Sequence, residues 1–448
     1  MNILKNRNFL LLFIGRILTN IGDSLYAVAA MWLVYDLGGS TLYTGLAGFL
    51  SILPRIIQIF SGPLIDRVPL RGLLVYTQLI QAGLLLIVPA AHYMGFLTVG
   101  LVLTITPIMS TLNMWVYPAQ MSALPKILDK KQLTQGNSLF TLAYQGIDVA
   151  CNAISGGLII LLGAVSLYLW NAVGFFIGAV LFAQLRIHSA SSSSNNDLTT
   201  SRETQVKDST ATSTSTDSFK SYMEDMRFGL RFLLGSPLAR VLLGMIMINA
   251  VGGATFTVMP AFADSLGGAG IYGILLMAQA CGSLLGALAA PYLKLEKFRL
   301  GVIYGVAFFV MGAAWALSVF TPWTWLVVLT YGLAWFPGGI TNVIINTVIQ
   351  KTIPQQHMAT VFAASNGLSG IASPLGSLIG GSLGLLLASS SIIAGSGLIV
   401  LLIGVLWLLD PVTRKLPPPD RMDESLFAPL QSAAQERREQ ANPAAPPA

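Results

Sequence analysis

Charge is scarce in this chain. Only 10% of its 448 residues are Asp, Glu, Lys or Arg, against 54% hydrophobic, and so thin a polar surface excludes a set of water-soluble domains. Cysteine is scarcer still: Cys151 and Cys281 are too few, and too deep in apolar sequence, for a disulfide framework or a zinc site. The histidines, His92, His188 and His357, stand far apart with no metal-ligand spacing. No G-x-x-x-x-G-K-S/T run is present, which excludes a P-loop ATPase engine on this chain. No nucleophile–base pair or carboxylate pair suggests catalysis. The expectation is a protein that is not an enzyme, needs no cofactor and draws any work from a gradient. The first apolar stretch is too long for a signal-peptide core and lacks a small-residue cleavage site, so it is expected to insert and stay.

What is abundant is apolar sequence of membrane-spanning length. Twelve stretches qualify: 9–37, 41–62, 72–92, 96–118, 132–162, 166–187, 238–262, 269–291, 299–320, 323–349, 357–386 and 390–409. Of the 25 Lys and Arg residues, all but Arg16 and Arg55 lie in or beside alternate connections, including Lys5, Arg7, Arg67, Arg71, Lys126, Lys130, Lys131, Lys294, Lys297, Arg299 and Lys351. The connections near 38–40, 93–95, 163–165, 263–268, 321–322 and 387–389 carry none. This positive-inside alternation predicts an all-α membrane protein with twelve transmembrane helices and both termini in the cytoplasm. The net charge of +6 follows from the same bias. Basic loops facing anionic lipid headgroups account for it without a nucleic-acid partner.

The chain divides into a six-helix bundle over 1–187, a cytoplasmic linker over 188–237, a second six-helix bundle over 238–410 and a disordered tail over 411–448. The linker is Ser/Thr-rich from Ser189 to Ser218, a composition that cannot build a core. Phe219, Tyr222, Met223, Met226, Leu230 and Leu233 then recur at helical spacing opposite charged residues, predicting an amphipathic helix on the membrane surface. Stretches 132–158 and 357–381 both turn small and glycine-rich in their second halves. With Gly376, Gly380 and Gly384 as one ridge and Gly282 and Gly286 as another, helices can approach closely. Paired small-residue helices fit two pseudo-symmetric bundles that rock against each other; static packing explains them equally well.

Four ionisable residues fall inside these stretches: Arg16 and Asp23 in the first, Arg55 in the second and Asp148 in the fifth. An intramembrane charge costs about 2.5–3.5 kcal/mol on insertion scales and so marks a functional position or a paired one. Arg16 and Asp23 are seven residues apart, hence on one face and about 10 Å apart along the axis, with Asn20 between them. Asp23 lies at or just past mid-bilayer, where burial opposes the charged form. It is therefore the first candidate for carrying a coupled proton, with a fixed pairing role as the alternative, and Asp148 is the second. Arg55 can instead snorkel to the basic surface.

The segment GPLIDRVPLR, from Gly62 to Arg71, resembles the G-x-x-x-D-R-x-G-R-K/R signature of the major facilitator superfamily. The matched residues are Gly62, Asp66, Arg67 and Arg71; Pro69 and Leu70 depart from the pattern. The run GRILTNIGDSLYAVAAMWLVYDLGGS, the run from Pro118 to Leu133 and IASPLGSLIGG are similar to the branch holding macrolide-efflux proteins and a siderophore exporter. Cys151 and Asn152 stand where the family's antiporter motif ends in Gly-Pro, and Met109 where drug antiporters carry an arginine.

The resemblance implies a monomeric secondary transporter of a bacterial plasma membrane. Its partners would be a small-molecule substrate and membrane lipid. Its activity would be proton-coupled efflux of a hydrophobic or amphipathic, macrolide-like compound. The alternatives are export of an endogenous metabolite, lipid or siderophore, or a transport-inactive sensor or scaffold. The resemblance also makes Gly62, Asp66, Arg67 and Arg71 an inner gate and has helices 1, 4, 7 and 10 line the cavity. On those helices the candidates are Asn20, Tyr26, Ser110, Asn113, Tyr117, Asn249, Phe256, Trp335, Asn342 and Asn346. Gln120 and Gln350 extend the stripes on helices 4 and 10, the latter following a helix-breaking Trp335–Gly339 segment.

Overall fold

A computed structural model describes residues 3–51, 69–128, 132–186, 239–352 and 370–422. Each of the twelve apolar stretches contains a helix within its described part. In the first half the helices are α1 (Arg7–Gly38), α2 (Thr41–Leu50), α3 (Leu70–Tyr93), α4 (Val99–Ile127), α5 (Leu133–Leu162) and α6 (Ala164–Ala183). In the second half they are α7 (Ala239–Leu266), α8 (Ala269–Ala289), α9 (Leu300–Ser318), α10 (Thr324–Thr352), α11 (370–383) and α12 (Ser389–Leu409), followed by a short α13 (Pro411–Arg414). Among the described residues there is no strand, and nine helices are long and apolar enough to cross a membrane. Trp170, Phe176, Leu386, Leu406 and Leu409 are more than half exposed on the outside of the bundle. Such an apolar exterior suits hydrocarbon, where the helices satisfy their own backbone groups. The linker with its amphipathic segment, Arg55, Gly62, Asp66 and Arg67 lie outside the described residues.

Local chemistry sets the helix ends. Asn6 caps α1 by accepting the N–H groups of Asn8 and Phe9 at 3.0 and 3.2 Å. Its amide donates to the Ile127 carbonyl at the end of α4 (3.1 Å), and Asn8 donates to the Arg186 carbonyl beyond α6 (3.0 Å). In the second half the Arg240–Asp410 ion pair and the Leu300 N–H to Pro417 carbonyl bond gather α7, α9 and α12 in the same way. This is the basic end of the molecule. At the opposite end the connections are tight. Gly39 (φ 60°) closes α1 just before Ser40 caps α2, and Gly163 (φ 78°) alone joins α5 to α6. Both adopt left-handed backbone that a side chain would strain.

Three sequence expectations shift. The fourth helix runs on to Ile127 instead of stopping near 118. Its added turns bury Ala119, Ala123 and Leu124 in a cluster with Phe9 and Phe140, so packing carries it past the end of the apolar run. The Trp335–Gly339 segment does not break α10, which is continuous through Pro337. There a Cβ on Gly339 would sit 1.9 Å from the Ser283 carbonyl, so close packing on α8 holds the helix line. The segment expected as a disordered tail is ordered at its start, because residues 411–414 form α13 and Leu416 and Met422 are buried in the core.

Glycine contacts set the helix spacing. In the first half Gly15 and Gly22 receive the rings of Phe182 and Phe175, locking α1 antiparallel to α6. In the second half Gly376 and Gly380 lie on Ala250 and Ala254, and Gly282 and Gly286 lie on the carbonyls of Gly332 and Phe336. The two halves touch toward the opposite end. There Gly156 of α5 meets Gly273 of α8 backbone to backbone, and Gly45 of α2 meets Gly381 of α11. Thr41 donates to the Gly381 carbonyl (3.2 Å), Thr44 to the Thr257 carbonyl (2.8 Å) and Tyr35 to Asp264 (3.2 Å).

Candidate functional site

α1 and α4 run antiparallel and face each other through two polar rungs. Arg16, 2% exposed, donates to Gln120 Oε1 at 2.8 Å, and Asn113 Nδ2 donates to Asp23 Oδ1 at 2.6 Å. Residues 16 and 23 are seven apart on α1, as 113 and 120 are on α4, so the rungs repeat every two turns. The polar stripes of helices 1 and 4 thus meet in interhelical hydrogen bonds. A buried amide or charge in hydrocarbon needs such a partner. Asn20, between the rungs, is buried, and its Nδ2, like Gln120 Nε2, has no partner among the described residues.

From Asp23 the bonding continues into α3. Gln81 Nε2 donates to Asn113 Oδ1 (2.8 Å), and Gln78 Nε2 donates to Gln81 Oε1 (3.0 Å). The Thr19 hydroxyl lies 3.3 Å from Gln78 Oε1 and 2.9 Å from the Gly15 carbonyl. Gln78 and Gln81 are fully buried. Five side chains from three helices therefore form one file ending on the carboxylate. The reading of the sequence missed Gln78, Gln81 and Thr19. A signal was available, since Gln78 and Gln81 are two amides at i, i+3 spacing in an otherwise apolar span.

Asp148 of α5 arrives one residue further along, where the Ser24 hydroxyl donates to its Oδ1 at 3.0 Å. The two carboxylate candidates thus stand at adjacent positions of α1, Asp23 on the helix itself and Asp148 bonded to Ser24 from α5. Tyr26 is buried in the first half, donating to Thr106 (3.3 Å) and packing edge-on against Tyr168. Ser110 is half-buried. In the second half Asn249 donates to the Met245 carbonyl of its own helix (2.8 Å). Phe256 packs at the margin of the core, and Trp335 lies against Trp315 and Tyr331 with ring centres 5.4 and 6.4 Å away. Asn342 is exposed on α10; the side chains of Tyr117, Asn346 and Gln350 lie outside the described residues. Arg71 donates to the Ala183 carbonyl, the C-terminus of α6 in its own half, where a cation complements the helix dipole.

Among the described residues no cluster of His, Cys, Asp or Glu could hold a metal ion. Residues 12–376 match the Major Facilitator Superfamily. YvqJ of Bacillus subtilis (strain 168), an uncharacterised MFS-type transporter, is 23% identical over 409 residues, covering 89% of this chain and 91% of its own. The multidrug efflux pump Tap of Mycolicibacterium fortuitum is 23% identical over 426 residues, covering 92% and 98%. Two solved structures share the fold. The nucleoside transporter NupG has a TM-score of 0.61 at 14% identity, with 90% of this chain and 98% of that one covered. The peptide transporter POT in complex with sulfate has a TM-score of 0.63 at 13% identity, covering 92% and 96%. With an all-helical apolar bundle, charges buried between its helices and a family match over most of its length, the chain belongs to the Major Facilitator Superfamily and is a multi-pass membrane transporter, not an enzyme.

Proposed function

We propose that the protein is a proton-coupled exporter of hydrophobic or amphipathic compounds, macrolide-like drugs among them. It would work as a monomer in a bacterial plasma membrane with both termini in the cytoplasm. The observation that carries this reading is Asp23, a carboxylate deep in α1 whose oxygen is engaged by Asn113 at 2.6 Å. A group so placed exchanges a proton only through a path the protein controls, which is what coupling needs. The full-length similarity to a multidrug efflux pump supports export and the substrate class. Aromatic residues near the polar stripes, such as Trp335 and Phe256, suit an amphipathic cargo.

In this orientation the opposite end of the bundle faces outward, and the Gly156–Gly273 and Gly45–Gly381 contacts close that side. The signature residues Gly62, Asp66, Arg67 and Arg71 would lock the inner side in the other half of the cycle. Purified protein in vesicles with an imposed pH gradient should accumulate a macrolide such as erythromycin. Asp23→Asn should abolish gradient-driven accumulation yet keep substrate exchange at equal pH. Accumulation that persists in Asp23→Asn moves the role to Asp148, and persistence in the double substitution refutes coupling by these carboxylates.

A further inference from the structure

Every amide in the file from Thr19 to Asp23 points the same way. Asn113 presents its NH2 to the carboxylate, so its oxygen accepts from Gln81. The Gln81 oxygen accepts from Gln78, and the Gln78 oxygen faces Thr19. The arrangement is a run of donors aimed at an anion. At its far end a single hydroxyl proton has two acceptors in reach, Gln78 Oε1 at 3.3 Å and the Gly15 carbonyl at 2.9 Å.

We propose that Gln81, Gln78 and Thr19 are positioning residues of a reversible hydrogen-bond file that switches polarity when Asp23 is protonated, carrying the protonation state from Asp23 to the α1 backbone at Gly15. This rests on Asp23 being the proton carrier. A protonated Asp23 is a donor at one oxygen and needs an acceptor where Asn113 now offers NH2. If Asn113 turns its amide over, its NH2 needs the Gln81 oxygen, and Gln81 and Gln78 must turn in sequence. Gln78 then donates to the Thr19 oxygen, and the Thr19 proton goes to Gly15. Every bond in the file is kept in both polarities. The two ends of a side-chain amide have nearly the same shape, so buried packing is kept as well.

No proton moves along the amides; the one gained by Asp23 stays on Asp23. A partly reversed file would leave a buried amide unpaired at about 1–3 kcal/mol, and that penalty makes the switch concerted. A hydroxyl donating to the carbonyl four residues back bends a helix, so the neutral state would flex α1 at Gly15, where it packs on Phe182. The charged groups on this face are Arg16, bound to Gln120, and Asp148, bound to Ser24 on the α5 side. α3 supplies only the two glutamine amides to the file, and α6 brings the Tyr168 ring edge-on to Tyr26.

The test is infrared difference spectroscopy, acidic minus neutral, on the protein in lipid with 13C-labelled glutamine side chains. A carboxyl band lost in Asp23→Asn should appear together with glutamine amide bands lost in the same variant. Gln81→Met, close in shape but without an amide, should silence Gln78 as well as itself while the carboxyl band persists. Gln78→Met should leave the Gln81 response in place. A titrating carboxyl band with no glutamine response, or a Gln78 response that survives Gln81→Met, overturns the file and leaves proton coupling standing. No Asp23 carboxyl band at any pH overturns both.

Discussion

Gly156 offers the sharpest test of how the two halves meet. A Cβ built on it would lie 2.1 Å from the Gly273 Cα and 2.7 Å from the Gly273 nitrogen, atoms of backbone that cannot rotate away. Ordinary contact begins at 3.4 Å, so Gly156→Ala asks α5 and α8 to part by at least 1.3 Å (3.4 minus 2.1). Overpacking of this kind costs about 1–3 kcal/mol. That cost falls on the state in which the helices touch. At about 1.4 kcal/mol per tenfold, the population with this end open should rise roughly fivefold to more than a hundredfold. Gly157 is the control, because a Cβ there meets nothing within 4 Å. Spin labels at Tyr93 and Phe320, both exposed, at the opposite end and one in each half, would read the separation by pulsed electron resonance. Gly156→Ala should move the distribution to longer distances while Gly157→Ala leaves it alone. A folded Gly156→Ala with the wild-type distribution would refute the idea that this contact holds the end closed.

For topology, cysteines placed at Ser40 and Ser265 should react with an impermeant thiol reagent on intact cells and one at Ser193 should not; labelling at 193 refutes cytoplasmic termini. Gln120→Leu removes one hydrogen-bond acceptor of the buried Arg16 guanidinium. Hydrogen bonds to charged groups contribute about 1.5–3 kcal/mol, so its thermal midpoint in detergent should fall by several degrees, and an unchanged midpoint would deny the rung a structural role. Between α12 and α13, Asp410 is held well below the usual carboxylate range, first by the Thr413 hydroxyl and then by Arg240 and the Thr413 N–H. A lowered folded-state value means that the Asp410 contribution is present above the unfolded value of about 4 and is lost as pH falls toward the folded one. Melting curves of Asp410→Asn should lie below wild type at neutral pH and converge with it in acid; a gap that widens in acid would refute this.

Length and hydropathy determined the helices, and they did so locally. Any run of spanning length must satisfy its backbone internally in hydrocarbon, so the described helices were legible in the sequence without knowing their neighbours. The cost of Arg16 and Asp23 was legible for the same reason, because it depends on depth in the span and not on contacts. Ends that depend on packing were not: α4 outruns its apolar segment because Leu124 and Ala123 join a core with Phe9 and Phe140, and α10 ignores Pro337 because α8 supports it. What only the tertiary structure decided is who meets whom. The spacing on α1 announced a polar face, but nothing in it named Gln120 for Arg16 or Asn113 for Asp23, and nothing brought Gln78 and Gln81 from α3 to the same carboxylate. A hydrogen bond is set by the relative rotation and register of two helices, and those are fixed by glycine contacts such as Gly15 on Phe182 and Gly22 on Phe175, between residues more than 150 positions apart in the chain.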